Sequence, residues 1–205
     1  MLNIFARASI SRWTHPIGAA LVRAGLTPNA VTVIGTVASV ASALWFFPRG
    51  ELFTGTVVVT VFLLFDVLDG AMARAGGGSS TFGGVLDAGC DRIADGALFG
   101  ALVWWALVVA GDRPLGVGLL LCLVGAQVTS YVKARAEANG LSADGGLAER
   151  AERFVLVLVG TGLHGLGVPY VLDVAVWLLV VLSALTVLQR LRAAARSAQA
   201  GTSSS

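Results

Sequence analysis

Long apolar runs without charged residues recur along the chain, and short polar turns separate them. A bilayer core of about 30 Å needs roughly 20 helical residues, so the shorter runs must continue into the polar turns beside them. The pattern therefore predicts an all-α integral membrane protein with six transmembrane helices. The apolar runs are residues 31–47, 52–65, 96–111, 114–132, 154–172 and 174–188.

The two ends of the chain differ from this pattern. The first residues mix arginines with apolar side chains such as Phe5 and Trp13, without the long apolar core of a signal peptide. We expect an N-terminal amphipathic helix on the membrane surface, with a frayed terminus as the alternative. Residues 197–205 are small and polar, which predicts a disordered tail. Residues 1–196 then form one membrane domain.

The composition agrees with a membrane protein. Hydrophobic residues make up 56% of the chain and charged residues 13%, and the mean hydropathy is +0.83, which excludes an ordinary soluble domain. Cys90 and Cys122 both fall in predicted helices, so neither a disulfide framework nor a zinc cluster is expected. We expect membrane lipids and no nucleic acid as partners.

The distribution of cations predicts the orientation in the membrane. With six spans, both termini and the loops after the second and fourth helices lie on one side. All 14 Lys and Arg residues except Arg49 and Arg113 are on or next to that side. By the positive-inside rule this side is cytoplasmic. We therefore expect a multi-pass protein of the cell membrane with both termini in the cytoplasm.

Four aspartates lie beside apolar runs at the predicted cytoplasmic side. Asp66 and Asp69 share a face at the end of the second helix, and Asp87 and Asp91 share a face at the start of the third. The glycine-rich turn between them can bring the two helix ends together. Because converging carboxylates repel one another, this arrangement predicts a divalent metal, and oxygen ligands favour Mg²⁺ or Mn²⁺.

The aspartates are also compatible with two alternative roles. They can be interfacial residues paired with Arg74 and Arg92, or ion or proton sites of a transporter or channel. Their clustering at one membrane face, beside a turn that can admit a phosphate, favours the metal site. We expect Asp95, one turn beyond Asp91, to lie behind the metal ligands and to fix Arg92.

The spacing of the motif gives a resemblance to a family. Asp66, Asp69-Gly70, Ala73-Arg74, Gly83, Asp87 and Asp91 stand at the separations found in CDP-alcohol phosphotransferases, which this chain also resembles in its six spans. The resemblance implies transfer of a phosphoalcohol from a cytidine diphosphate donor to a hydroxyl, with release of CMP. It implies two metal ions held by Asp66, Asp69, Asp87 and Asp91, with Asp91 as the base. The implied donor contacts are Asn29, Thr32, Gly70, Ala73, Arg74, Ser80 and Gly83.

The polar loop of residues 131–153 holds the cations that bear on the acceptor. Arginine suits bidentate binding of phosphate, so a cationic pocket here predicts an anionic acceptor. The alternative is that these cations only satisfy the membrane topology and lipid headgroups. The candidate residues are Lys133, Arg135, Arg150 and Arg153, with Arg190 at the end of the last helix.

Several stretches narrow the resemblance. SYVKARAEANGL, GGLAERAERFVLVL, FDVLDGAMAR and VLQRL are similar to bacterial phosphatidylinositol-phosphate synthases, although Ala151 replaces a frequent proline. This resemblance implies CDP-diacylglycerol as donor, inositol phosphate as acceptor, and a homodimer. The alternative within the family is a phosphatidylglycerophosphate synthase that uses glycerol 3-phosphate.

Overall fold

The computed structural model describes residues 25–64, 72 and 80–202, and these are the residues discussed below. Within this part of the chain the regular structure is helical, without a strand. Helix α1 is Pro28–Phe46, followed by a 3₁₀ turn at Phe47–Arg49, and α2 is Leu52–Leu63. The later helices are α3 (Thr81–Trp104), continued by a π-helical turn at Trp105–Val109, then α4 (Arg113–Ala138), α5 (Arg150–Gly165) and α6 (Val171–Thr202).

Four of the helical segments are long and apolar enough to cross a membrane: Pro28–Arg49, Thr81–Val109, Arg113–Ala138 and Val171–Ala200. For the described residues, the prediction of an all-α protein is confirmed, and these four helices are candidates for membrane spans. Helices α2 and α5 coincide with the other two predicted spans but have only 12 and 16 residues. The predicted surface helix in residues 1–24 lies outside the described residues.

Polar side chains fix the helix ends. Asp112 caps α4, since its Oδ1 accepts a hydrogen bond from the Leu115 amide at 3.0 Å. Asn139 closes the same helix, with Nδ2 donating to the Arg135 carbonyl at 2.7 Å. At the start of α1, the Thr27 hydroxyl oxygen accepts from the Ala30 amide at 3.3 Å. The Thr27 cap marks the start of α1.

The chain divides into two compact units, and the first comprises residues 1–43 and 57–94. Its described part contains α1 as far as Ala43, α2 from Val57, and α3 as far as Ala94. The buried side of α1 in this unit consists largely of small and hydroxyl-bearing residues. Such residues allow helix backbones to approach closely within a membrane. They include Thr32, Gly35, Thr36 and Ser39.

The second unit comprises residues 44–56 and 95–205, and α6 is its central helix. Both α4 and α5 pack against α6. Glycines make the close contact with α4 possible: a Cβ on Gly118 would lie 2.7 Å from Val176 Cγ1, and one on Gly125 would lie 2.9 Å from Ser183 Cβ. The contact thus uses the small residues that membrane helix pairs favour.

Helix α6 extends well past its apolar part. It continues to Thr202, so residues 197–202 of the predicted disordered tail are helical, and residues 203–205 lie outside the described residues. The extension is attached to the polar loop after α4, because the Ser142 amide donates to Ser197 Oγ at 3.1 Å. The end of α6 therefore takes part in the structure of that loop.

Candidate functional site

The start of α3 gathers three of the residues predicted to bind the donor. Ser80 caps the helix, with its Oγ accepting from the Gly83 amide at 2.9 Å. A Cβ on Gly83 would lie 3.1 Å from Asn29 Oδ1 and 3.1 Å from Ser80 Oγ. The first turn of α1 therefore stands directly against the first turn of α3. A helix N-terminus with an amide and a hydroxyl beside it suits a phosphate.

The remaining predicted donor contacts are only partly described. The Thr32 hydroxyl, one turn after Asn29, donates to the Pro28 carbonyl at 3.1 Å. This bond stabilises the start of α1. Gly70, Ala73 and Arg74 lie outside the described residues.

The structure describes the two predicted metal ligands that lie on α3. Asp87 and Asp91 stand one turn apart, and Asp87 is exposed while the Asp91 side chain is 21% exposed. An Arg92 Nη2 lies 3.7 Å from Asp91 Oδ2, so the predicted interfacial pairing with Arg92 applies to this aspartate. Asp66 and Asp69 lie outside the described residues. The described part of the chain contains no group of three or more potential metal ligands, and it holds only half of the predicted set.

The residues present are chemically suited to the expected metal. Mg²⁺ and Mn²⁺ take oxygen ligands, and Asp87 and Asp91 offer accessible carboxylate oxygens on one side of α3. A pair of carboxylates one turn apart can hold such an ion together with further oxygen ligands. The described half of the site therefore fits a divalent cation.

Two of the predicted acceptor cations are buried in the second unit and hold its polar loop. Arg190 Nε donates to the Gly145 carbonyl at 3.0 Å, and its Nη1 donates to the Thr129 carbonyl at 2.8 Å. Arg153 Nη1 donates to the Ala148 carbonyl at 3.0 Å. Both arginines thus order the loop as well as carrying charge.

Asp95 gathers two of the predicted cations. Its side chain is 1% exposed, with Oδ1 3.5 Å from Arg150 Nε and Oδ2 3.7 Å from Arg153 Nη2. The guanidinium of Arg150 also lies over the Phe154 ring, 4.8 Å from its centroid. The sequence predicted Arg92 as the partner of Asp95, and the contacts with Arg150 and Arg153 add two arginines that it did not indicate.

Lys133, near the end of α4, contacts the first half of the polar loop. Its Nζ lies 3.4 Å from Asp144 Oδ1 and 3.7 Å from Glu137 Oε1. A hydrogen bond from the Ser142 hydroxyl, followed by the bond and charge of Lys133, lowers the pKa of Asp144 below its usual value. The Lys133–Asp144 contact therefore persists at a lower pH than an ordinary aspartate would allow.

Arg135 stands apart from the rest of the cations. Its side chain is exposed, and residues two apart on a helix do not share a face, so it projects from a different side of α4 than Lys133. The structure thus brings Arg150 and Arg153 together at Asp95, and ties Arg153 and Arg190 to the same short stretch of loop.

The structure also shows residues of this region that the sequence pattern did not reveal. Thr186 Oγ1 accepts from the Ala148 amide at 3.0 Å and donates to the Leu182 carbonyl at 2.8 Å. Thr186 lies one turn before Arg190, and this helical spacing was the available signal. No sequence pattern indicated Ser142, Asp144 or Ser197.

Comparison with known proteins gives a family and near relatives. The profile of the CDP-alcohol phosphatidyltransferase family matches residues 25–189. A phosphatidylinositol phosphate synthase of Mycobacterium marinum is 56% identical over 189 residues, which cover 91% of this chain and 81% of the relative. The enzyme of that name from Mycobacterium tuberculosis is 54% identical over 193 residues, covering 93% of this chain and 89% of the relative.

Solved structures of the Mycobacterium tuberculosis enzyme are similar to the chain as well. The structure with CDP-DAG bound has a TM-score of 0.86 and 54% identity, and the match covers 89% of this chain and 94% of that one. The structure in complex with manganese and citrate has a TM-score of 0.85 and 54% identity, covering 88% of each chain. The similarity therefore extends over nearly the full length in both sequence and fold.

Proposed function

The chain belongs to the CDP-alcohol phosphatidyltransferase family, and from this premise we propose that it is a phosphatidylinositol phosphate synthase. It transfers the phosphatidyl group of CDP-diacylglycerol to a hydroxyl of inositol phosphate, giving phosphatidylinositol phosphate and CMP. The observation that carries the proposal is the identity of 54–56% to enzymes of that name over more than nine-tenths of the chain. Family membership also sets aside an ion-coupled transporter.

The buried arginines beside the polar loop support an anionic acceptor. Arg153 and Arg190 are buried, and Arg150 and Arg153 lie together at Asp95. Cations that only satisfied membrane topology would have no reason to be buried, because burial of a charge is costly. A phosphate on the acceptor gives these arginines a function, whereas free inositol would not. We assign Lys133, Arg135, Arg150, Arg153 and Arg190 to the acceptor phosphate.

The remaining roles follow the motif. Asp66, Asp69, Asp87 and Asp91 would hold two divalent ions, Mg²⁺ or Mn²⁺. When bound, such ions offset the charge of the donor diphosphate and of the departing CMP. Asn29, Thr32, Gly70, Ala73, Arg74, Ser80 and Gly83 would bind CDP-diacylglycerol. The close approach of Asn29, Ser80 and Gly83 supports that grouping.

Asp91 acts as the base in the proposed reaction. Its carboxylate takes the proton of the acceptor hydroxyl while the hydroxyl oxygen forms a bond to the phosphorus of the phosphatidyl group. The bond from that phosphorus to the oxygen of the CMP phosphate breaks, and CMP leaves with the electron pair. The Arg92 guanidinium lies 3.7 Å from this carboxylate, so a cation stands beside the proposed base.

We further infer six membrane spans in residues 1–196, formed by the four long helices together with α2 and α5. The N-terminal segment would lie on the membrane surface. The cation distribution supports a cytoplasmic site, with both termini on that side. By family resemblance the enzyme is a homodimer in the cell membrane.

An assay of CMP release tests the proposed function. Purified protein receives CDP-diacylglycerol, Mg²⁺ or Mn²⁺, and inositol phosphate, glycerol 3-phosphate or free inositol in parallel reactions. We expect turnover with inositol phosphate and little with the two remaining acceptors. Turnover with glycerol 3-phosphate alone would identify a phosphatidylglycerophosphate synthase instead. Asp91→Asn should lose at least about a hundredfold in rate, and an undiminished rate would remove Asp91 as the base.

A further inference from the structure

Asp95 is a buried carboxylate for which neither the donor site nor the proposed reaction has a use. It lies one turn after Asp91 on α3, and its side chain is 1% exposed. A buried charge is costly unless it is paired with good geometry. Two guanidiniums lie near this charge, that of Arg150 at 3.5 Å and that of Arg153 at 3.7 Å.

Each of the two arginines is held by a second contact as well as by Asp95. Arg153 Nη1 donates to the Ala148 carbonyl at 3.0 Å, and its side chain is 4% exposed. Arg150 lies over the Phe154 ring, and its side chain is 24% exposed. The two guanidiniums are therefore fixed in orientation, and Arg150 remains accessible at the surface of the unit.

The charges of this group favour an anionic ligand. Two guanidiniums face one carboxylate, so the group of Asp95, Arg150 and Arg153 carries a net positive charge. A planar guanidinium that is already oriented loses little freedom when it binds a phosphate, and this strengthens the binding. A carboxylate between the two arginines also offsets their mutual repulsion.

We propose that Asp95 is a positioning residue for the acceptor: it orients Arg150 and Arg153 for the phosphate group of inositol phosphate. The inference rests on the proposed function, and it gives Asp95 a role through the two arginines rather than at the reacting atoms. It also separates Asp95 from Asp87 and Asp91, since the same helix carries carboxylates for two different purposes.

Kinetics of Asp95→Asn test the proposal. The amide keeps the size of the side chain but removes the charge that holds two arginines. We expect the KM for inositol phosphate to rise about ten- to a hundredfold, because small displacements of binding groups have effects of that size. The KM for CDP-diacylglycerol should stay within about twofold. Asp173→Asn, the same change in the first turn of α6, should leave both values unchanged.

Removal of the arginines shows whether Asp95 acts through them. In a protein with Arg150→Gln and Arg153→Gln, the further change Asp95→Asn should not raise the KM for inositol phosphate again. A merely structural role would instead add its own cost in that background. An additive effect would therefore contradict the proposal.

The remaining outcomes separate the inference from the function on which it rests. No CMP release by the wild type with inositol phosphate would refute the proposed function and this inference with it. Normal wild-type turnover with an unchanged KM in Asp95→Asn would refute the inference alone. If Asp95→Asn does not fold, Asp95→Glu takes its place, since its extra methylene shifts the carboxylate. A wild-type KM in that folded protein would likewise contradict the proposal.

Discussion

Gly83 leaves room at the start of α3 that no other residue type would leave. A Cβ there would lie 3.1 Å from Asn29 Oδ1 and from Ser80 Oγ, so both groups would have to shift by a few tenths of an ångström. Both are proposed donor contacts. The absence of a side chain at Gly83 is therefore part of the geometry of the proposed donor site.

Gly83→Ala should weaken donor binding without unfolding the protein. Alanine favours a helix over glycine by up to about 1 kcal/mol, which offsets the crowding in stability. We expect the KM for CDP-diacylglycerol to rise about three- to tenfold, because Asn29 and Ser80 are displaced. Gly84→Ala is the control, since a Cβ there meets no atom within 4 Å. Equal KM values for the two variants would show that the crowding at Gly83 is unimportant.

Arg190 should not tolerate lysine. Its Nε and Nη1 donate to the carbonyls of Gly145 and Thr129, and a lysine ammonium cannot reproduce this fork. We expect Arg190→Lys to raise the KM for inositol phosphate about tenfold and to lower the midpoint of thermal unfolding. Arg192→Lys, at an exposed position of the same helix, should change neither quantity. Wild-type behaviour of Arg190→Lys would leave only its charge as important.

The loop after α4 runs along α6 in the opposite direction and is attached to it at three points. The Ala148 amide donates a hydrogen bond to Thr186, and the Gly145 carbonyl accepts one from Arg190. The Ser142 amide donates a hydrogen bond to Ser197. Gly146 lies between two of these attachments. Its φ of 139° is one that other residues rarely adopt, and a Cβ there would collide with Thr186. The polar loop is therefore an ordered element whose shape depends on α6.

Thr186→Val should loosen this loop. Valine has the shape of threonine but cannot accept from the buried Ala148 amide, and an unsatisfied buried amide costs about 1–3 kcal/mol. We expect faster hydrogen exchange in residues 139–149 and a severalfold higher KM for inositol phosphate.

The matched control is Thr161→Val. Thr161 is fully buried too, but its hydroxyl donates to the Val157 carbonyl of its own helix. That variant should exchange like the wild type in residues 139–149. Equal exchange in the two variants would show that the Thr186 bond does not hold the loop.

At the scale of the whole molecule, the sequence predicted features that depend on local spacing. The apolar runs predicted the helices, and the spacing of Asp87 and Asp91 placed them on one face of α3. The contacts around the polar loop could not be predicted from the sequence, because they join distant residues. Thr186 forms a hydrogen bond with a residue 38 positions away, and Arg190 forms one with Thr129, 61 positions away. Periodicity shows which face of a helix is buried, but it does not identify the partner. The buried group around Asp95 was missed for the same reason.

The number of spans depends on whether the short helices α2 and α5 cross the membrane. The 16 residues of α5 extend about 24 Å at 1.5 Å per residue. This is shorter than a bilayer core of about 30 Å, so α5 can cross only if the adjoining residues complete the span. If it crosses, Asn139 at the end of α4 and Val168 after α5 lie on opposite sides of the membrane. The positive-inside rule predicts that Asn139 is then on the cytoplasmic side.

Labelling of single introduced cysteines tests this arrangement. Asn139 and Val168 are both exposed, while the native Cys90 and Cys122 are buried, so the wild type provides the background. In intact cells, a maleimide that cannot cross membranes should label Val168→Cys at once and Asn139→Cys only after permeabilisation. Labelling of both from outside, or of neither, would mean that α5 does not cross the membrane. The reverse pattern would invert the predicted orientation and place the polar loop outside the cell.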